Sequence, residues 1–320
     1  MIDISNLELG IIDPESGANK PVLKGISLTI ERGEAIGLVG ESGSGKSMTL
    51  RCILGIEPRN SAVTGDIVFD GENLRTLPGQ RMRRLRASKI ALISQNPHAS
   101  LNPVLPIETY LLEGMADAHG RNAKAARIRA GEMLEQVGIR SVDRVLKAFP
   151  HQLSGGMLQR VVIAGAISGR PRLLLADEPT TALDVTTQAE VAAILDEKRR
   201  DLGMSMIFVT HDLDLAAAVT DRLAVMRYGE IVEIGTPEQI RDNPQHPYTQ
   251  MLMSIRPTLN GAPPQAHDDG GSTGVGTLTS GGPLTGGGPH DGGSTGVGTL
   301  TSGGPAVAEL SAETQIGSTL

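Results

Sequence analysis

The sequence predicts an α/β fold. A mixed, mainly parallel sheet is preceded by an antiparallel β subdomain and interrupted by an inserted helical subdomain. Three observations predict it. Short apolar runs, Ala35 to Val39, Ile90 to Ser94, Leu173 to Ala176 and Met206 to Val209, read as buried strands that stop at polar residues. Residues 1–33 instead alternate apolar and polar, through Ile2, Ile4, Leu7 and Leu9 and then Ile26, Leu28 and Ile30, the period of strands with one wet face. Between them, residues 107–150 place Ala126, Ala130, Met133, Leu134 and Val137 on one face of a helix.

Asp13 to Gly17 is a turn between the first two strands. The strand at Ala35 to Val39 runs into Gly40-Glu41-Ser42-Gly43-Ser44-Gly45-Lys46-Ser47, and Met48 to Leu54 reads as a helix ending at Gly55. That octapeptide fits G-x-x-x-x-G-K-[ST], and strand, glycine loop and helix together make it a phosphate-binding loop. Its glycines let successive backbone N–H groups point inward without Cβ clashes. The helix N-terminus adds partial positive charge where phosphates sit. Lys46 is expected to reach the β- and γ-phosphates, and the Ser47 hydroxyl to bind Mg²⁺. The expected contacts with ATP are Gly40, Glu41, Ser42, Gly43, Ser44, Gly45, Lys46, Ser47 and Met48.

Gly65 to Gly71 is a further short strand bracketed by glycines. Pro97 forces an extended conformation on Asn96, so Gln95 stands at a strand end, where α/β sheets meet ligands. Alone, such a residue is more often an ordinary loop amide. Ser154 is suited to cap a helix that opens with Gly155 and Gly156, which cost helix stability but expose backbone N–H groups. Leu173 to Ala176 ends in Asp177-Glu178, a carboxylate pair suited to Mg²⁺-dependent hydrolysis, with Asp177 toward the metal and Glu178 polarising a water. Thr181 to Asp184 turns into an amphipathic helix carrying Val191, Ile194 and Leu195 and ended by Gly203. The strand at Met206 to Val209 delivers His211 to the same sheet edge. Arg222 to Ile234 reads as a hairpin turning at Tyr228-Gly229-Glu230, followed by a helix near Pro237 to Arg241.

Composition sets outer bounds. A chain of 320 residues with 39% hydrophobic residues can build a substantial core, and 2% aromatics without Trp means that aliphatic side chains must fill it. The net charge of −7 offers no electrostatic case for nucleic acid, and the basic cluster Arg81 to Lys89 reads as a solvated helix face. Cys52 is the single cysteine, so neither an intrachain disulfide nor a cysteine metal cage is possible. No apolar run reaches membrane-spanning length, and no signal-peptide pattern is present. From Gly261 the chain loses Lys, Arg, Met, Cys and aromatic residues, and Gly270 to Pro283 repeats identically as Gly292 to Pro305. Such a segment buries too little surface to offset its chain entropy and is expected to be disordered.

Taken together, the phosphate loop, Gln95, Leu153 to Arg160, Asp177-Glu178, Asp184 and His211 resemble the ATP-binding subunit of an ABC transporter over residues 1–257. Gln95-Asn96-Pro97, Ser100-Leu101-Asn102-Pro103, Ser154 to Arg160 and His246-Pro247-Tyr248-Thr249 are similar to the peptide and nickel importer branch. The resemblance implies a P-loop NTPase core of the ABC ATPase type. Its helical subdomain would span about 100–165 and its C-terminal extension about 235–257, with a Gly/Ser/Thr-rich tail at 258–320. It implies ATP and Mg²⁺ as cofactors, with Gln95 also near the metal and His211 at the γ-phosphate. Ser154 and Gly156 would serve the nucleotide of a second ABC ATPase, a homologue or a second copy, and Gly155 and Asp184 would be further nucleotide contacts. It further implies two transmembrane permease subunits, an extracytoplasmic solute-binding protein and a peripheral place at the cytoplasmic face of the membrane. The cargo would be di- or oligopeptides, or else nickel or a metal chelate. A soluble ABC ATPase acting on DNA or ribosomes would be expected to show a second nucleotide domain, a coiled-coil insertion or a basic face, and none is visible. The family usually stacks adenine on an aromatic residue ahead of the phosphate loop, whereas Leu9 to Asp13 here offers Ile11 and Ile12. Nor can this chain build the C-terminal cysteine cluster of some relatives.

Overall fold

The structure, a computed structural model, describes residues 1–119, 123–181 and 183–254. Ala182 and the repeat segment within 258–320 lie outside the described residues. The N-terminal strands are β1 (Ile2–Ile12) and β2 (Asn19–Ile30), joined later by β4 (Ser61–Phe69) and β5 (Glu72–Asn73) in an antiparallel sheet of order β2-β1-β4-β5. Alternate residues of β1 and β2 are buried, as a sheet with one wet face requires. β4 begins four residues earlier than its glycine bracket suggests. Gly65 lies inside the strand at φ 84°, opposite an irregularity of β1 at Asn6 where a Cβ would meet the Asn6 carbonyl oxygen at 2.2 Å. The glycine therefore marks a bulge and not a strand end.

The second sheet holds six strands: β3 (Ala35–Val39), β6 (Ile90–Ile93), β7 (Leu173–Asp177), β8 (Ser205–Thr210), β9 (Arg222–Arg227) and β10 (Glu230–Gly235). Their order is β10-β9-β3-β8-β7-β6, with β10 antiparallel to β9 and the remaining pairings parallel. Parallel pairing puts the carboxyl ends of β3, β6, β7 and β8 on one edge. Val39 lies opposite Thr210, Asp177 opposite Val209, and Ile93 opposite Ala176.

β3 and β8 are buried along their whole length because both faces of the sheet are covered. Ala35, Val39, Leu174, Ala176, Met206 and Phe208 enter a core shared with the helices. Ile36, Leu38, Leu173, Leu175, Ile207 and Val209 enter a core shared with the antiparallel sheet. The helices are α1 (Lys46–Leu54), α2 (Gly79–Ser88), α3 (Ile107–His119), α4 (Ala123–Gln136), α5 (Val142–Lys147), α6 (Gly155–Ser168), α7 (Val185–Leu202), α8 (Leu213–Val219), α9 (Pro237–Asp242) and α10 (Pro247–Ser254). α1 and α2 contribute to the second core, where Cys52 is 4% exposed and burial pushes its thiol pKa up to about 12. α3, α4 and α5 form the helical insertion, and Ala130, Met133, Leu134 and Val137 bury the face that the helical period marks. Arg160 of α6 ties this insertion to α7, donating to the Val137 carbonyl at 2.8 Å and to Glu190 at 2.6 Å. α10, which no periodicity announces, starts just after His246 and buries Tyr248.

Candidate functional site

The phosphate loop lies between β3 and α1, and its backbone is one that only glycine adopts freely. Gly40, Gly43 and Gly45 have φ of 150°, 80° and 108°. Side chains are further excluded by packing: a Cβ at Gly40 would lie 2.2 Å from the Met226 carbonyl oxygen, and one at Gly45 2.7 Å from Leu23. With no side chain in the way, the loop and the start of α1 border a cavity of about 430 Å³, where a helix N-terminus favours anions. Its walls are Val22, Ser42, Gly43, Gly45, Lys46, Ser47, Met48, Gln95, Glu178 and His211.

Lys46 is buried, and its Nζ donates to the carbonyls of Gly40 and Glu41, both at 2.8 Å. Burial lowers its pKa, opposed by the nearby Glu178, Asp177 and Glu41 carboxylates. The Ser47 hydroxyl donates to Asp177 Oδ1 at 2.7 Å. Burial raises the Asp177 pKa above that of an ordinary aspartate, and this hydrogen bond opposes the shift.

Glu178 comes directly after β7 with φ 46°, a left-handed conformation unusual for a residue with a side chain. Its backbone N–H donates to the Val209 carbonyl at 3.0 Å. One carboxylate oxygen, Oε2, gathers three polar groups: Gln95 Nε2 at 3.2 Å, Thr181 Oγ1 at 2.7 Å and His211 Nδ1 at 3.6 Å. Gln95, Glu178 and His211 arrive from the ends of β6, β7 and β8, so the parallel sheet alone brings them together. His211 keeps 61% of its side chain exposed, while Glu178 keeps 17%.

The other expected residues stand elsewhere. Ser154 caps α6, accepting the Met157 N–H at 3.4 Å, and Asp184 caps α7, accepting the Thr187 N–H at 3.0 Å. The two caps are neighbours. A Cβ at Gly156 would lie 2.8 Å from Thr187 Cγ2, and one at Gly155 3.5 Å from Leu183. The structure therefore joins Ser154, Gly155, Gly156 and Asp184 into a second cluster, and none of them lines the phosphate cavity. Gly40, Glu41 and Ser44 build the loop without lining the cavity, and Asp177 reaches it through Ser47.

Sequence reasoning missed Thr181 and Val22. Thr181 carries a legible signal, a hydroxyl three residues beyond an acidic strand end. Val22 carries none, being one aliphatic residue within a strand. Ile11 and Ile12 do not line the cavity.

With this geometry in hand, the likenesses to known proteins are specific. A family profile described as "ABC transporter" matches residues 23–181. The chain is 44% identical over 265 residues to the peptidoglycan transport ATP-binding protein YejF of Agrobacterium fabrum, covering 82% of this chain and 48% of that protein, about half its length. It is 41% identical over 254 residues to the oligopeptide transport ATP-binding protein OppD of Bacillus subtilis, covering 79% of this chain and 71% of that one. Among solved structures, an ATP-binding cassette described as dimeric, in a post-hydrolysis state bound to ADP and Pi, superposes with a TM-score of 0.66 at 28% identity, covering 74% of this chain and 99% of that one. The loop, the carboxylate pair and these relatives agree: this chain belongs to the ABC transporter family, as one of its ATP-binding proteins.

Proposed function

We propose that the cavity binds ATP with Mg²⁺ and hydrolyses it to energise the import of di- or oligopeptides. One observation carries the chemistry: Gln95, Thr181 and His211 converge on a single oxygen of Glu178, in the same cavity as Lys46 and Ser47. On this reading Glu178 is the base that takes the proton of the attacking water, and Gln95 and His211 hold its carboxylate and the water in line. Lys46 exchanges its two loop carbonyls for phosphate oxygens.

The residues suit the ions. Among the described residues, no group of three or more His, Cys, Asp or Glu could hold a metal on protein ligands alone. One hydroxyl and one carboxylate, Ser47 and Asp177, match Mg²⁺, which keeps several waters and shares phosphate ligands. When bound, Mg²⁺ would neutralise charge on the phosphate oxygens.

The separate cluster at Ser154, Gly155, Gly156 and Asp184 supports a composite site. The described residues hold one phosphate cavity and one such cluster, and on this reading a second ABC ATPase, a homologue or a second copy, completes the two composite sites. The solved cassette that superposes on this chain is described as dimeric. No helix among the described residues is long and apolar enough to cross a membrane. On this reading two separate permease subunits supply the membrane path, fed by an extracytoplasmic solute-binding protein. The chain would sit peripherally at the cytoplasmic face of the membrane. Peptide cargo is supported by relatives named as oligopeptide and dipeptide transport ATP-binding proteins.

The test is the complex recovered from membranes, assayed for ATP hydrolysis and for peptide uptake into vesicles. Glu178→Gln is expected to lower turnover about 100-fold or more while retaining ATP binding, the loss typical of a general base. Turnover that survives this substitution would remove Glu178 from the role of base. Peptide-independent turnover in a complex lacking permease subunits would overturn the import reading.

A further inference from the structure

Beside the phosphate loop lies a contact that the proposed chemistry does not use. Tyr248 of α10 is 2% exposed, and the Arg227 guanidinium covers its ring at 4.5 Å. The same guanidinium lies over the Tyr228 ring at 4.8 Å, so a flat cation is held between two aromatic faces. The Tyr248 hydroxyl accepts the backbone N–H of Glu41 at 3.4 Å, 207 residues away in the chain. The Glu41 carbonyl meanwhile accepts Lys46 Nζ at 2.8 Å. Glu41 is therefore tied on one side to α10 and on the other to Lys46.

The start of α10 is itself fixed. His246 Nδ1 accepts the Tyr248 N–H at 3.1 Å, and the Glu233 carboxylate accepts the N–H groups of Gln245 and His246 at 2.7 and 3.0 Å. A second tie comes from the β9–β10 turn, where the Gly229 N–H donates to the Ser44 carbonyl at 3.0 Å.

A loop with three positive-φ glycines has many conformations open to it, and holding it in one costs entropy. A cradle that is already ordered binds its ligand without that cost. Packing alone does not require a hydroxyl here, since phenylalanine would fill the same space beneath Arg227. The hydroxyl is spent on the backbone of the loop.

We propose that Tyr248 is a positioning residue for ATP: through its hydroxyl on Glu41 and its ring under Arg227, α10 holds the phosphate loop in the shape that receives the phosphates. The proposal rests on the ATP reading and extends it to a residue outside the cavity. Its test compares the full-length wild type with Tyr248→Phe and Arg227→Lys, by titration with a fluorescent ATP analogue, steady-state ATPase kinetics of the complex, and thermal melting. Tyr248→Phe is expected to raise KM and the analogue's Kd about three- to ten-fold, the factor carried by one hydrogen bond, with the loss in kcat/KM residing in KM. Arg227→Lys keeps the charge but loses the flat face between the rings, and is expected to move KM the same way.

A tyrosine that only packs would lower the melting temperature and leave KM alone. KM within two-fold of wild type in both variants overturns the proposal. Wild-type chain that binds no ATP overturns the ATP reading and this proposal with it, a result distinct from normal wild-type binding with unmoved variants.

Discussion

Burial moves the pKa values of Lys46 and Asp177 toward each other, Lys46 down and Asp177 up. For Asp177 the consequence has a definite sign. Its folded pKa exceeds its unfolded value, so the folded state binds the extra proton between the two. The stability contribution of this group therefore falls as pH rises through that window, and at neutral pH the ionised carboxylate is a net cost. Asp177→Asn keeps an oxygen for the Ser47 hydroxyl and removes the charge. It is expected to raise the melting temperature at pH 7, with no gain at a pH well below the ordinary aspartate value of 3.8, where both states are protonated. ATP hydrolysis is expected to fall at the same time. Melting curves of both forms at the two pH values check this, and an unchanged neutral-pH melting temperature would contradict it. The Asp177-Glu178 pair was legible because two acids close an apolar strand. The left-handed backbone of Glu178 was not legible, since the residue type gives no hint of it. The contact of Thr181 with Glu178 depends on how the turn folds back.

At the scale of elements, α6 shows how small residues set distances between helices. Gly165 lies inside it, where glycine costs about 1 kcal/mol relative to alanine. A Cβ there would lie 2.3 Å from the Tyr110 ring of α3. Gly165→Ala is therefore expected to destabilise the protein by about 1–3 kcal/mol, the overpacking penalty outweighing the gain in helix propensity. Urea titration measures it, and Tyr110→Leu in the same chain is expected to restore most of the loss by vacating the space. A Gly165→Ala chain more stable than wild type would mean that α3 gives way without cost. Most elements were readable from period and punctuation: β3, β7 and β8 from unbroken apolar runs, α7 from its amphipathic period after the Asp184 turn and its Gly203 stop. Two were not. β4 passes through Gly65 because the bulge at Asn6 belongs to its partner strand, and α10 is an eight-residue helix whose buried face is dominated by one tyrosine.

At the scale of the whole molecule, the six-stranded sheet divides two apolar cores, and the strand ends on one of its edges line the cavity proposed to take ATP. The sequence order of the motifs anticipated that edge, because parallel strands deliver the residues at their carboxyl ends to the same side. The resemblance set Ser154 at a partner's nucleotide, but residue spacing could not anticipate that Asp184 would stand beside it, away from the cavity, an outcome of the crossing of α6 and α7. This separation makes a prediction about assembly. Ser154→Asp preserves the helix cap and places a negative charge where the partner's nucleotide phosphates would lie. The isolated chain is expected to keep its ATP affinity within two-fold, while turnover in the assembled complex falls at least about ten-fold. Loss of affinity in the isolated chain would show that the cluster serves its own cavity. Motion between such paired chains is open to measurement by an existing property of the fold. Cys52, enclosed behind the phosphate loop with a thiol reluctant to ionise, offers alkylating dyes almost no thiolate. The native chain is thus already a silent background for site-specific fluorescence: one cysteine introduced at exposed Val185, beside the Asp184 cap, can be labelled and followed through nucleotide cycles without first engineering the natural thiol away.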